Sequence, residues 1–231
     1  MPVLALIHQD DAGSGVFGEA VRDRGGDLVE WNIATGGLPP QDDYDAVLVF
    51  GGAMHVDQEE RHPWLRLEDD LLRGLLGARV PLMGICLGAQ LVAKSLAAPV
   101  GPAANPEVGW YDVELTPQAE DDPVFSALPE RFEAFQWHRY AFGLPPGAVP
   151  LAQNANCLQA YRAGDVAWGI QFHAEVRGDA VAAWIESSRP EEDGDLDIER
   201  LEAETEEKIG RWNEIGKLLA GRFLDVASAP P

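Results

Sequence analysis

Two cysteines and five histidines are the side chains best suited to nucleophilic and proton-transfer chemistry in this 231-residue chain, and one cysteine is set apart by its neighbours. Cys86 lies in Pro81-Leu-Met-Gly-Ile-Cys-Leu-Gly-Ala-Gln90, with glycines two residues before it and two after. This is the Gly-x-nucleophile-x-Gly pattern of a sharp strand-to-helix elbow, with Cys in the place of Ser. Glycines at 84 and 88 leave room where the turn brings backbone against backbone. A sulfur at the start of a helix also feels the positive end of the helix dipole, which favours the attacking thiolate. The plain alternative is a buried structural cysteine, and the elbow argues against it. Cys157 has no such setting and reads as structural.

A thiol nucleophile needs a base. His173 stands at the end of an apolar run in Gly169-Ile-Gln-Phe-His-Ala-Glu-Val176. Residues i and i+2 of an extended chain point the same way, so Glu175 falls beside His173. There it can orient the imidazole and stabilise its cation. Cys86, His173 and Glu175 thus form nucleophile, base and orienter in chain order. As metal ligands they lack a second Cys or His at ligand-like spacing, so no metal is expected.

These residues need a scaffold that ends strands at one place. Pro2–His8, Asp27–Asn32, Asp45–Phe50 and Pro81–Ile85 read as strands, with helices over Val16–Arg24, Trp64–Leu76 and Gly88–Leu96. Strands alternating with helices predict a parallel sheet covered on both faces. After Pro99 the pattern changes. Val108–Leu115 alternates, Arg131–Phe142 is rich in aromatics, and Cys157–Arg162 and Val166–Phe172 flank a turn at Ala163-Gly164-Asp165. The second half therefore adds antiparallel strands. Ile198, Leu201, Ile209, Trp212, Ile215, Leu219 and Phe223 mark an amphipathic C-terminal helix.

Gly13-Ser-Gly-Val-Phe-Gly18 imitates a dinucleotide fingerprint. Its first glycine should sit directly at the strand end, whereas Gln9, Asp10, Asp11 and Ala12 intervene. It is read as a loop near the site, and no cofactor is expected.

With 46% apolar residues the chain is expected to form one domain over residues 1–231: a core at 1–185, then an acidic segment and helix at 186–231. The N-terminus reads as a first strand rather than a signal peptide, and no apolar run is long enough to cross a membrane. Two cysteines make no disulfide framework, so a cytoplasmic location is expected. Seventeen basic against 39 acidic residues give a net charge of −22, which disfavours nucleic acid and anionic lipid. Eleven acids against two arginines fall between Glu186 and Glu207, a run read as a solvated loop and helix face.

Gly84–Gln90 together with Gln171-Phe-His-Ala-Glu175 resembles the paired signature of class I, triad-type glutamine amidotransferases. The likeness is greatest to the stand-alone branch similar to the glutaminase domain of GMP synthetase. Phe50-Gly-Gly-Ala-Met54, Pro63-Trp-Leu65, Val108-Gly-Trp110 and Gln136-Trp-His138 match the same branch, in order, across roughly residues 1–185. The resemblance implies a flavodoxin-like fold and an oxyanion hole made by the N–H groups of Gly52 and Leu87. It implies that Gln90 contacts the glutamyl portion of the substrate. The segment around His138, Arg139 and Tyr140 would hold its amino-acid end through backbone groups. The plainer readings are an exposed helix residue for Gln90 and a packing residue for His138. One position departs from the family: its usual Pro between the His and Glu positions is Ala174 here.

The expected activity is glutamine hydrolysis through a Cys86 thioester. No phosphate-binding Gly-x-x-x-x-Gly-Lys loop occurs, so ammonia would pass to a separate synthetase. The alternatives are a self-contained γ-glutamyl peptidase or amidase, and a catalytically idle binding domain. Gly51-Gly52 lets the oxyanion peptide take either orientation, and the ammonia-transfer reading expects the hole to be unformed in the isolated chain.

Overall fold

A computed structural model of the chain describes residues 1–35, 37, 39, 43–188 and 196–229. The apolar runs of the first half form β1 (Pro2–Ile7), β2 (Asp27–Asn32), β3 (Ala46–Val49) and β4 (Leu82–Ile85). Their side chains alternate between two cores. Val3, Ala5 and Ile7 of β1 join one cluster with Ala46 and Leu48, while Leu4 and Leu6 join another with Val47 and Val49. A parallel sheet buried on both faces needs such unbroken apolar strands, which is why they lack the polar alternation of a half-exposed strand.

The first core packs under α1 (Gly15–Asp23), and the second under α2 (Trp64–Gly77) and α3 (Leu87–Ser95). The second half contributes β5 (Val100–Leu115), β6 (Arg131–Phe142), β7 (Val149–Gln153), β8 (Leu158–Ala163) and β9 (Ala167–Ile170). Helices α4 (Gly178–Ser187) and α5 (Ile198–Ala227) follow and close over the first core. One nine-stranded sheet results, in the order β2-β1-β3-β4-β9-β8-β7-β5-β6. Strands β2 to β9 of that order run parallel, and the remainder are antiparallel, as expected of a flavodoxin-like sheet with additions.

Some elements differ from the sequence expectation. Strand β5 starts eight residues before Val108, and its early part holds Pro102 and Pro106 beside a register shift between Pro102 and Glu107. Prolines remove ladder donors and hide a strand from pattern reading. The same holds for β7, which carries Pro150. Helix α4 is short, and the sequence pattern carries no expectation for it. In α5, the apolar face buries Leu201, Trp212, Leu219 and Phe223, but Ile198 is exposed. That helix starts where the Asp197 carboxylate accepts the Arg200 N–H. The centre of the acidic run, residues 189–195, lies outside the described residues. Among the described residues, no helix is long and apolar enough to cross a membrane.

The sheet brings the carboxyl ends of β1, β3, β4 and β9 side by side, and α5 crosses behind the segment that follows β9. Its approach is close: a Cβ at Gly216 would lie 2.0 Å from the Ala174 carbonyl oxygen and 2.9 Å from Val16 Cγ2. Gly216→Val is therefore expected to push α5 away and cost about 1–3 kcal/mol, as overpacked cores do. Urea unfolding measures this, and an unchanged midpoint would show that α5 is not seated there.

Candidate active site

Cys86 joins β4 to α3 with φ 51° and ψ −109°. A non-glycine residue in this region is strained and persists only where its surroundings enforce it. The flanking glycines do so: a Cβ at Gly84 would sit 2.6 Å from the Ala89 nitrogen, and one at Gly88 would sit 2.1 Å from the Val49 carbonyl. Leu87 is the first residue of α3, where the helix leaves N–H groups without intrahelical partners. Gly52 follows β3 and faces it, since a Cβ there would lie 3.1 Å from Leu87 Cδ2.

His173 follows β9, the neighbour of β4, and so arrives beside Cys86. Its Nδ1 lies 2.8 Å from Glu175 Oε1, in a buried pair. Cys86 acts on the same ring electrostatically, and with Nδ1 taken by Glu175 the Nε2 edge is left to it; the thiol itself donates to the Trp137 carbonyl at 3.8 Å. The edge of Trp184 packs on the imidazole at 4.9 Å between centroids. Burial works against the charged ring, but Glu175 and Cys86 outweigh it and raise the His173 pKa well above its ordinary value. The second Glu175 oxygen has no hydrogen-bond partner among the described residues, so the carboxylate's one directed contact is the imidazole. The structure thus brings Cys86, His173 and Glu175 together.

The chain from His173 to Val176 is held by its main chain. The His173 N–H donates to the Phe135 carbonyl at 2.9 Å, and its carbonyl accepts from Trp212 Nε1 at 2.8 Å. The Glu175 carbonyl accepts the Val16 N–H at 2.9 Å, and that of Val176 accepts from Asn213 Nδ2 at 2.7 Å. The dinucleotide-like glycines find their use here. A Cβ at Gly15 would lie 1.9 Å from the Glu175 oxygen, so the loop lies directly against the site.

A cleft of about 580 Å³ opens over Cys86, lined among others by Gly52, Leu87, Gln90, Arg139, Tyr140 and Trp184. Gln90 is buried rather than exposed, and its amide donates to the Tyr140 carbonyl at 2.9 Å and to Gln171 Oε1 at 3.3 Å. Tyr140 stacks on His55 and donates its hydroxyl to Asp57. His138 is also at the cleft, but its imidazole is turned inward: Nε2 lies 2.9 Å from Glu107 Oε2 and Nδ1 lies 3.0 Å from the Tyr140 carbonyl.

Glu107, His138 and Cys157 form a second Cys-His-Glu cluster. Its chemistry differs from that at Cys86. Asn154 and Asn156 donate to one Glu107 oxygen, and Gln159, His138 and the Cys157 thiol approach the other. These donors surround a carboxylate and hold β5, β6 and β8 together behind the cleft wall. Burial and Glu107 push the Cys157 thiol up to about 12, so it serves as a donor and not as a nucleophile.

The sequence model of the glutamine amidotransferase class-I family matches residues 24–185. The chain belongs to this family. Among curated relatives, the glutamine amidotransferase-like protein YfeJ of Salmonella typhimurium is 30% identical over 83% of this chain and 82% of its own length. The GMP synthase of Thermomicrobium roseum is 32% identical over 67% of this chain, which spans 31% of that protein. A γ-glutamyl-L-1-hydroxyisopropylamide hydrolase of a Pseudomonas species is 27% identical over 63% of this chain and 52% of its own. The crystal structure of a glutamine amidotransferase from Thermotoga maritima superposes with a TM-score of 0.89 at 29% identity, covering 97% of this chain and 98% of that one. The family match ends at residue 185, so Trp212 and Asn213, which grip the segment after His173, come from beyond it.

Sequence reading missed Trp184, Trp212 and Asn213; only the apolar period of α5 hinted that Trp212 faces inward. Two outcomes follow for this chain. Iodoacetamide at pH 8 is expected to modify Cys86 at least about ten-fold faster than Cys157, because only a thiolate alkylates readily. Peptide mapping that finds Cys157 modified first would contradict this electrostatic picture. Trp212→Phe keeps a ring but leaves the His173 carbonyl without its donor, at a cost of roughly 1–3 kcal/mol in urea unfolding.

Proposed function

We propose that this amidotransferase hydrolyses the γ-amide of a glutamyl substrate through a thioester on Cys86. The observation that carries the reading is the buried Cys86–His173–Glu175 arrangement beneath an open cleft. Cys86 Sγ, its proton held by His173, attacks the γ-carbonyl carbon. The oxygen becomes an oxyanion facing the N–H groups of Gly52 and Leu87. His173 then passes its proton to the amide nitrogen, the C–N bond breaks and the amine leaves. Water, deprotonated by the same ring, attacks the thioester, and glutamate departs as Sγ is released. Glu175 keeps the ring oriented and balances its charge through both halves. Gln90 and the backbone of residues 138–140 border the glutamyl portion.

With glutamine as the substrate the leaving group is ammonia, delivered to a separate synthetase, and the glutaminase of GMP synthase is the relative that supports this. A self-contained γ-glutamyl amide hydrolase is the second reading. It is supported by a cleft that extends past Cys86 to Met54, Gln58, Arg61 and His62, giving space beside the sulfur for a leaving group larger than ammonia. The hydrolase of the Pseudomonas relative supports it as well.

Turnover of the purified chain on glutamine, on γ-glutamyl dipeptides and on γ-glutamyl alkylamides separates these readings. Glutamine hydrolysis that rises when a synthetase is added supports ammonia transfer, whereas fast γ-glutamyl alkylamide cleavage beside slow glutamine cleavage supports the hydrolase. No cleavage of any member would refute both. Cys86→Ala is expected to reduce turnover by about 10³-fold or more, and His173→Ala nearly as much. Glu175→Gln should be milder, because a base remains; wild-type turnover in His173→Ala would sink the scheme.

A further inference from the structure

A second buried pair stands on the far side of the oxyanion peptide. His8 follows β1, Glu68 lies on α2, and both side chains are 0% exposed. His8 Nε2 lies 3.0 Å from each Glu68 oxygen, and Nδ1 lies 3.1 Å from the Gly51 carbonyl oxygen. Trp64, one helical turn before Glu68, stacks on the ring at 5.3 Å between centroids. Residues i and i+4 of one helix thus hold a single imidazole by its face and its edge. Both nitrogens face acceptors, an arrangement the ring satisfies fully with a hydrogen on each. Burial pulls the His8 pKa down, but Glu68 and the Gly51 and Phe50 carbonyls raise it above its ordinary value.

Strand order gives this pair its meaning. β3 lies between β1 and β4, so the Gly51–Gly52 peptide, which follows β3, has His8 on one side and Cys86 on the other. The described chain has no cis peptide. In a planar trans peptide the C=O and the N–H point in opposite directions. A carbonyl held on the β1 side sends the Gly52 N–H to the β4 side, where Cys86 and Leu87 stand. We infer that His8, seated by Glu68 and Trp64, is a latch that fixes the Gly51–Gly52 peptide with the Gly52 N–H presented to the oxyanion. Glycine makes a flip of this peptide sterically cheap, and the latch supplies the missing constraint. The hole is therefore formed in the isolated chain, against the expectation that accompanied ammonia transfer, and the site does not wait for a partner to complete it. His8 is a positioning residue, and its role rests on the thioester reading above.

The test removes the donor without stranding a buried charge. His8→Phe with Glu68→Leu keeps an aromatic ring on Trp64 and replaces the pair by apolar groups, while His8→Asn with Glu68→Gln restores an N–H near the position of Nδ1. On the γ-glutamyl amide the wild type cleaves best, the apolar pair should lower kcat by about 10²–10³-fold with KM within a few fold, and the amide pair should recover most of it. Alkylation of Cys86 by iodoacetamide forms no oxyanion and should keep its wild-type rate in both. Wild-type kcat in the apolar pair, or alkylation falling in step with kcat, would overturn the latch. A second readout needs no turnover: the ¹⁵N-amide signal of Gly52 should be single and sharp in the wild type and broadened or doubled in the apolar pair. An identical Gly52 signal in both overturns the latch, whereas a wild type that cleaves no γ-glutamyl amide counts against the proposed function alone.

Discussion

The 2.8 Å contact between His173 Nδ1 and Glu175 Oε1, out of water, is the interaction around which the site is organised. A buried carboxylate and imidazole are costly to desolvate, and they remain charged only while each compensates the other. Here a third group, Cys86, shares the compensation from the opposite side of the ring. That arrangement demands chain ends delivered side by side, and parallel strands deliver them: β4 ends at Cys86, its neighbour β9 leads to His173, and β3 ends at the glycines. An open α/β sheet collects its loops at the carboxyl ends of its strands, so the candidate site lies where the topology converges.

Geometry at this precision needs support, because an imidazole displaced by an ångström loses its reach to the sulfur. Most of that support is main chain. The carbonyls of His173, Glu175 and Val176 are held by Trp212, Val16 and Asn213, and Ala174 packs under Gly216 of α5. The related enzymes' motif has a proline where Ala174 stands. The stiffness that a proline ring would give comes here from hydrogen bonds on both sides of the alanine, two of them from α5. A helix outside the family match thereby becomes part of how this chain keeps the segment after β9 in place. The Glu107 network does the same for the opposite wall, where it fixes the 138–140 segment through the buried His138 ring.

Local features were legible in the sequence where local physics decides them. Unbroken apolar runs announced the parallel strands, the glycines at 84 and 88 announced the elbow, and the i, i+2 spacing of His173 and Glu175 announced their pairing. Strands carrying Pro102, Pro106 and Pro150 were not legible, because proline disguises pairing that tertiary context supplies. The direction of the His138 ring depends on Glu107, 31 residues away in the chain, and the partner of His8 is 60 residues away. Such contacts have no periodic signature. Two Cys-His-Glu clusters exist, and residue types alone do not separate them. The elbow around Cys86 does, and the electrostatics agree: one cluster charges its histidine against a sulfur, while the other keeps its thiol protonated against a saturated carboxylate.

The account stands on a glutamyl thioester at Cys86. Its most direct test is acid quenching of the purified chain during turnover of a γ-glutamyl amide, followed by intact-mass and peptide analysis. The account predicts a glutamyl adduct on the peptide carrying Cys86, absent from Cys86→Ala and from protein quenched after the substrate is exhausted. Sustained hydrolysis by Cys86→Ala, or an adduct carried by Cys157 in place of Cys86, would contradict it.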